Sequence, residues 1–297
     1  MAPDAAAPLV RYERDGPIAL LTIDHPPVNV LSAGVLAALT DALDRAREDL
    51  GARVVVLAGA AERAFAAGAN IREIAPMGPA EARLHGGRGQ ATTRAIERLP
   101  LPVIAAVHGS CLGGGCEIAL ACDFVIASEE AVFGQPEINL GVMPGWGGTR
   151  RLPRRIGTAR ARSWILTGRP VPAREALAQG LLHQVVPRGE LLATAVALGR
   201  ELAQKPATAL AAAKYAILNA ADPGLDDGLG YELALWAELF GTPDQKAGMA
   251  AFLEKRSMVS APRVPWGTVA DRFPYPPEPG PPGADGTPPS TREKRKT

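Results

Sequence analysis

Aromatic side chains are scarce in this sequence, and cysteine and histidine are scarcer still. Phe, Trp and Tyr make up 5% of 297 residues, with three Cys and four His. So few aromatics leave little with which to stack nucleic-acid bases. The net charge is only +1, which excludes a general basic field for polyanions. Cys111, Cys116 and Cys122 lie five and six residues apart. That spacing fits no common zinc pattern, and an odd count fits no disulfide framework, so they read as buried thiols of a reduced, cytoplasmic compartment. His25, His85, His108 and His183 form no ligand set and read as surface or strand-end residues, with a structural hydrogen bond expected at His108. No apolar run approaches the roughly 20 residues of a membrane span. The start, MAPDAAAPLVRYERDG, has an acid at Asp4 and no basic stretch before an apolar one, so it does not read as a signal peptide.

What is present is an alternation of β and α patterns over the first two-thirds of the chain. IALLTID (18–24), VVVLAG (54–59), PVIAAVHG (102–109), DFVIAS (123–128) and AVFG (131–134) read as strands. Ser32 is a helix cap before Val35, Leu36, Leu39, Leu43 and Leu50, and 78–99 reads as a helix weakened around Gly86 and Gly87. Such alternation implies an α/β fold, a mostly buried sheet flanked by helices. From Gly147 onward the pattern is helical, interrupted by HQVVP (183–187), with helices expected over 188–204, 207–220, 228–240 and 243–256. Ten of 28 prolines fall between Pro262 and Thr297, and the sequence closes with the basic run REKRK before Thr297. Residues 259–297 therefore read as a Pro-rich, disordered tail, with Trp266, Phe273 and Tyr275 available to hold its first part. No internal repeat is visible.

Residues 109–123, GSCLGGGCEIALACD, drive three glycines into an apolar helix that carries one carboxylate, Glu117. The first amides of a helix have no intrahelical acceptor, and glycines admit a ligand close to them. AFAAGAN (64–70) supplies a second glycine turn after a strand. Two amides meeting on one oxygen make an oxyanion hole, where each donor is worth about 3–4 kcal/mol in the transition state. Close helix–strand packing is the competing reading of such glycines. Twenty residues after Glu117 stands Glu137, within FGQPEINLGVMPGWGGTRRLP (133–153). Two half-buried carboxylates side by side split their pKa values and divide acid and base roles. Separate ion pairs with nearby arginines are the alternative.

Taken in order, AFAAGANIREI, PVIAAVHGSCLGGGCEIALACD, FGQPEINLGVMPGWGGTRRLPR, LTGRPVPAREALAQGLLHQVVP and GMAAFLEKR resemble the crotonase superfamily, and within it the enoyl-CoA hydratases. The resemblance covers about residues 10–258. It implies a spiral of ββα units over 1–190, carrying the active site, and a helical trimerisation region over 191–258. It also implies assembly as a homotrimer or homohexamer. The substrate would be an acyl-CoA thioester, with no cofactor beyond the coenzyme A of the substrate and no metal, nucleic acid or membrane partner. The catalytic acids fall on Glu117 and Glu137, the oxyanion amides on Ala67 and Gly114, and a water-orienting amide on Gly145. Ala67, Gly68, Ala69, Asn70 and Arg72 match the stretch along the CoA channel. Phe252 and Lys255 match helix positions that reach a neighbouring subunit's CoA. Asn70 stands where Asp is common, Trp146 replaces a small residue of the acyl pocket, and the sequence departs from the pattern beyond Arg256.

The activity implied is syn hydration of a trans-2-enoyl-CoA. Δ3–Δ2 isomerisation needs only Glu137, and other crotonase lyases share the oxyanion hole. RNA binding through REKRK or through Arg83, Arg88 and Arg94 is the reading from another class. Arg150, Arg151, Arg154 and Arg155 could meet CoA phosphates or form a solvated or subunit-pairing helix face.

Overall fold

The computed structural model describes residues 7–219 and 225–263. In chain order its elements are β1 (Val10–Asp15), β2 (Ile18–Ile23), α1 (Ala33–Glu48), β3 (Val54–Gly59), β4 (Ala64–Ala66), α2 (Ile71–Ile74), α3 (Pro79–Arg98), β5 (Val103–Val107) and β6 (Ser110–Leu112). There follow α4 (Gly114–Ala121), β7 (Phe124–Ser128), β8 (Val132–Gly134), a 3-10 turn over Pro136–Leu140, α5 (Gly148–Ile156), α6 (Thr158–Thr167) and β9 (Val171–Pro172). The last are α7 (Ala173–Ala178), β10 (Gln184–Val186), α8 (Leu191–Ala203), α9 (Ala207–Asn219), α10 (Leu225–Leu239) and α11 (Pro243–Leu253).

Two sheets result. One has the order β1-β2-β3-β5-β7-β10, the other β4-β6-β8-β9. In the first, all pairs except β1–β2 are parallel, with Leu21 opposite Leu57 and Leu57 opposite Ala105. The architecture repeats. Each of β3–β4, β5–β6 and β7–β8 sends its first strand to the larger sheet and its second to the smaller, then continues into helix. This is a spiral of ββα units that the sequence hides, because β4, β6 and β8 are three residues each and too short to show a period. The parallel strands read as unbroken apolar runs because both faces are covered. Leu39, Leu43, Ile96 and Ile118 of the helices cover one face.

The other face, carrying Ile18, Val54, Val56 and Ile104, is closed by Leu191, Ala195 and Ala203 of α8. Helix α8 thus packs within the α/β core, although the sequence reading groups it with the C-terminal helices. Ser32 caps α1, its hydroxyl accepting from the Val35 amide at 3.2 Å. That helix ends at Glu48, so Leu50 falls outside it and is exposed. The three cysteines are free and buried, and burial pushes the Cys122 thiol up to about 12. The tail expected to be disordered from residue 259 begins ordered: the Ser260 hydroxyl donates to the Gln204 carbonyl at 2.8 Å, the Ala261 amide to Asp244 at 2.7 Å and Arg263 to the Ala52 carbonyl at 2.9 Å. Residues 264–297, with Trp266, Phe273 and Tyr275, lie outside the described residues.

Candidate active site

Two turns from two successive ββα units meet at the start of α4. The Cα of Gly68, after β4, lies so near that a β-carbon on it would stand 3.9 Å from the Gly114 nitrogen. As the first residue of α4, Gly114 has no intrahelical acceptor for its amide, and no hydrogen bond among the described residues engages it. The partner amide differs from the one expected. Ala67 is already committed, donating to the Val28 carbonyl at 3.1 Å. The open amide of this turn belongs to Ala69. Leu31 donates to the Gly68 carbonyl at 2.8 Å and accepts from the Asn70 amide at 3.3 Å. This parallel bridge turns Ala69's own N–H away from Leu31, and it has no acceptor among the described residues.

Asn29, which sequence reasoning missed, holds this turn. It is fully buried, and its side-chain amide donates to the Ala64 and Phe65 carbonyls at 3.2 and 3.0 Å. Asn70 caps α2, accepting from the Arg72 amide at 3.2 Å and donating to Glu73 at 3.0 Å, while Arg72 itself is exposed.

Every residue of α4 is buried, including Glu117, which is 2% exposed. A buried carboxylate needs donors, and Glu117 Oε1 accepts from the Trp146 and Gly148 amides at 2.7 Å each. Burial raises its pKa, while these amides and the Arg151 charge pull it back. Glu137, on the 3-10 turn after β8, comes to the same place. Its Oε1 lies 3.0 Å from where a β-carbon on Gly113 would be, and its Oε2 is buried without a partner. Burial, reinforced by the Glu117 charge, pushes its carboxyl up to about 7. The two environments differ. The amides on Glu117 oppose the effect of burial and favour its ionised form, whereas at Glu137 burial and the neighbouring Glu117 charge both favour the proton.

Gly145 stands beside them, its carbonyl accepting from Gln90 at 2.9 Å. Its amide has no acceptor among the described residues, and the space over its Cα is open. Trp146 is buried across the gap between α3 and α4. A β-carbon on either Gly89 or Gly114 would fall 2.3 Å from its indole. His85 also lies here rather than at the surface, buried with its ring 5.7 Å from that of Trp146. Neither ring nitrogen has a partner among the described residues, and burial lowers its pKa.

Arg151 and Arg155 turn inward. Arg151 pairs with Glu97 at 2.6 Å, and Arg155 donates to the Leu120 and Cys122 carbonyls. A cavity of about 620 Å³ lies behind Arg151, lined by Leu120, Cys122, Arg155 and Lys214 among others. His108 bonds the Ala61 carbonyl at 2.8 Å, as expected. Phe252, 82% exposed, and Lys255 sit at the end of α11, with no hydrogen bond or ion pair to these residues.

A sequence model of the enoyl-CoA hydratase/isomerase family matches residues 13–260. The short-chain-enoyl-CoA hydratase of Clostridium acetobutylicum is 40% identical over 250 residues, 84% of this chain and 96% of that protein. A probable enoyl-CoA hydratase of Rhizobium meliloti is 44% identical over 245 residues, 82% and 94% of the two chains. The crystal structure of an enoyl-CoA hydratase from Bacillus anthracis superposes with a TM-score of 0.81 at 37% identity, covering 86% of this chain and 100% of that one. With its three ββα units and these relatives, the chain belongs to the enoyl-CoA hydratase/isomerase family, the crotonase superfamily its motifs resemble.

Proposed function

We propose that this protein adds water to trans-2-enoyl-CoA thioesters, giving 3-hydroxyacyl-CoA. The observation that carries the reading is the pair of acids at the mouth of α4, Glu117 buried and held by amides and Glu137 half-buried with its carboxyl pushed up to about 7. The thioester oxygen lies between the Ala69 and Gly114 amides, where developing enolate charge meets preorganised donors. A water sits between Glu117, Glu137 and the Gly145 amide. Glu117 takes a proton from it as oxygen attacks C3, and Glu137 gives its proton to C2. General acid–base help of this kind is worth typically 10²–10⁴-fold. The proton left on Glu117 passes back to Glu137 through solvent before the next turnover. Gly68, Ala69, Asn70 and Arg72 lie along the entry to this site and meet the coenzyme A portion.

Assembly with further copies of this chain completes the CoA site. The stripe of Leu229, Leu233 and Trp236 on α10, continued by Phe240 just after it, is solvent-facing, as are Phe252 and Leu253 at the end of α11. Large apolar side chains grouped in this way suit a subunit contact. A trimer or hexamer would bring Phe252 and Lys255 to a neighbour's CoA, and light scattering would measure the state. No described helix is long and apolar enough to cross a membrane, and the reduced cysteines suit a cytoplasmic enzyme.

The test is direct. Purified protein mixed with crotonyl-CoA should abolish the absorbance of the conjugated thioester and yield 3-hydroxybutyryl-CoA. Conversion of a 3-enoyl-CoA to the 2-enoyl isomer without hydration would establish the isomerase reading instead.

A further inference from the structure

Glu117 is aimed by more than its two amide donors. The N–H of Trp146 belongs to the same peptide unit as the Gly145 carbonyl. At one end of that unit Gln90 of α3 donates from Nε2 to the carbonyl at 2.9 Å. At the other end the N–H donates to Glu117 Oε1 at 2.7 Å. The next peptide unit, Trp146–Gly147, is strung the same way. Its carbonyl accepts from Arg151 Nη1 at 2.7 Å and from Thr93 Oγ1 at 3.0 Å. Its N–H, on Gly147, adds to the field that favours ionised Glu117.

Arg151 is itself fixed by a two-pronged pair with Glu97, Nε to Oε1 at 2.7 Å and Nη2 to Oε2 at 2.6 Å. Its guanidinium lies on the Cα of Gly147, where a β-carbon would be 2.0 Å from Nη1 and where φ is +115°. Only glycine suits that position. Gln90, Thr93 and Glu97 are spaced i, i+3 and i+7 along α3, so they form one face of that helix.

We infer that Gln90, Thr93 and the Glu97–Arg151 pair are positioning residues, which set the place and charge state of Glu117 through two peptide units. The inference rests on the reading of Glu117 as an acid–base group. A donor on a peptide carbonyl polarises the unit and strengthens what its N–H gives away, so each α3 contact is transmitted to the carboxylate. The charged groups around Glu117 are Arg151 from α5, Glu137 from the 3-10 turn, and Glu97 of α3 behind Arg151.

The experiment compares wild type with Arg151→Met, Arg151→Lys, Thr93→Val and Gln90→Leu. The last changes an exposed side chain and leaves the core intact. Two readouts are needed. One is the pH profile of kcat for crotonyl-CoA hydration, with KM measured alongside. The other is the infrared band of the protonated Glu117 carboxyl, assigned by its loss in Glu117→Gln and titrated without substrate.

Loss of a clamp donor should lower kcat on the order of tenfold with KM held within about twofold. The acid limb and the band's midpoint should move together to higher pH, because a less stabilised carboxylate keeps its proton longer. Arg151→Lys should restore part of both. A folded Gln90→Leu or Arg151→Met protein with an unmoved midpoint overturns the proposal, whatever its activity. If wild type hydrates no enoyl-CoA but the midpoint moves, the clamp stands and the hydratase reading falls.

Discussion

Glu137 occupies space that only a glycine at position 113 leaves open. A β-carbon on Gly113 would lie 3.0 Å from Glu137 Oε1, and Gly113 has φ +52°. The acid is thus held against the start of α4, half-buried. Its carboxyl, pushed up to about 7 by burial, binds a proton more tightly in the folded chain than in the unfolded one. Its contribution to stability is therefore full at acid pH and is lost as pH rises from the ordinary 4.5 towards 7. Glu137→Gln should melt higher than wild type at pH 8, by on the order of 1–2 kcal/mol after allowing for solvent screening. The gain should vanish at about pH 5, below the raised carboxyl. Calorimetry at the two pH values checks this, and an equal gain at both would contradict it.

Replacing single backbone amides by esters distinguishes the two candidate donors of the 64–70 turn. An ester at position 69 removes the open N–H and should cost about 3–4 kcal/mol in kcat/KM, as for other oxyanion donors. An ester at position 67 removes only the bond to Val28 and should lower Tm with little kinetic effect. The reverse pattern would return the role to Ala67.

The acids separate by reaction. Glu117→Gln should cut hydration at least about a hundredfold and spare any 3-enoyl to 2-enoyl isomerisation. Glu137→Gln should remove both. CoA-ester affinity, measured by calorimetric titration, should change little in either variant, since the thioester oxygen is held by amides. Near-full hydration by Glu117→Gln would reject its role.

Trp146 fills the gap between α3 and α4 beside the Gly114 amide. Trp146→Ala should shift preference towards longer or branched enoyl-CoAs, read as kcat/KM across a graded panel. It should also cost about 3–5 kcal/mol in stability, as for other aromatic truncations in cores. An unchanged profile would mean that the acyl chain leaves by another route.

Glu117 is legible in the sequence because a carboxylate inside an apolar run has few explanations other than chemistry or a buried partner, and Glu137 because it stands twenty residues on, beside a proline and before a second glycine-rich helix start. The longer strands are legible for the same kind of reason, as unbroken Val, Ile and Leu runs. The clamp on Glu117 is not. Gln90, Thr93 and Glu97 look like any polar face of a helix, and Arg151 is one of four arginines in a short basic run. Their meaning lies in carbonyls more than 50 positions away or in a side chain folded back over a glycine. Which amide of the 64–70 turn is left open, Ala69 rather than Ala67, is equally hidden, since it depends on which peptides the 28–31 segment claims. His85 reads as a surface residue because its helix is polar, yet it is buried with its ring beside the indole of Trp146.

The fit of Trp146 against Gly89 ties two distant positions into one unit of inheritance. A helix interior ordinarily favours alanine over glycine by about 0.5–1 kcal/mol, so drift should remove Gly89 wherever it is free to do so. Beside the indole that step is blocked. In a lineage with a small side chain in place of the indole, the same step is open and mildly stabilising. Gly89→Ala should therefore be harmful in the wild-type background and neutral or better when combined with Trp146→Ala, a change of sign within one double-mutant cycle. The order of the two changes therefore matters: position 89 can take a β-carbon without a clash only once the indole is gone.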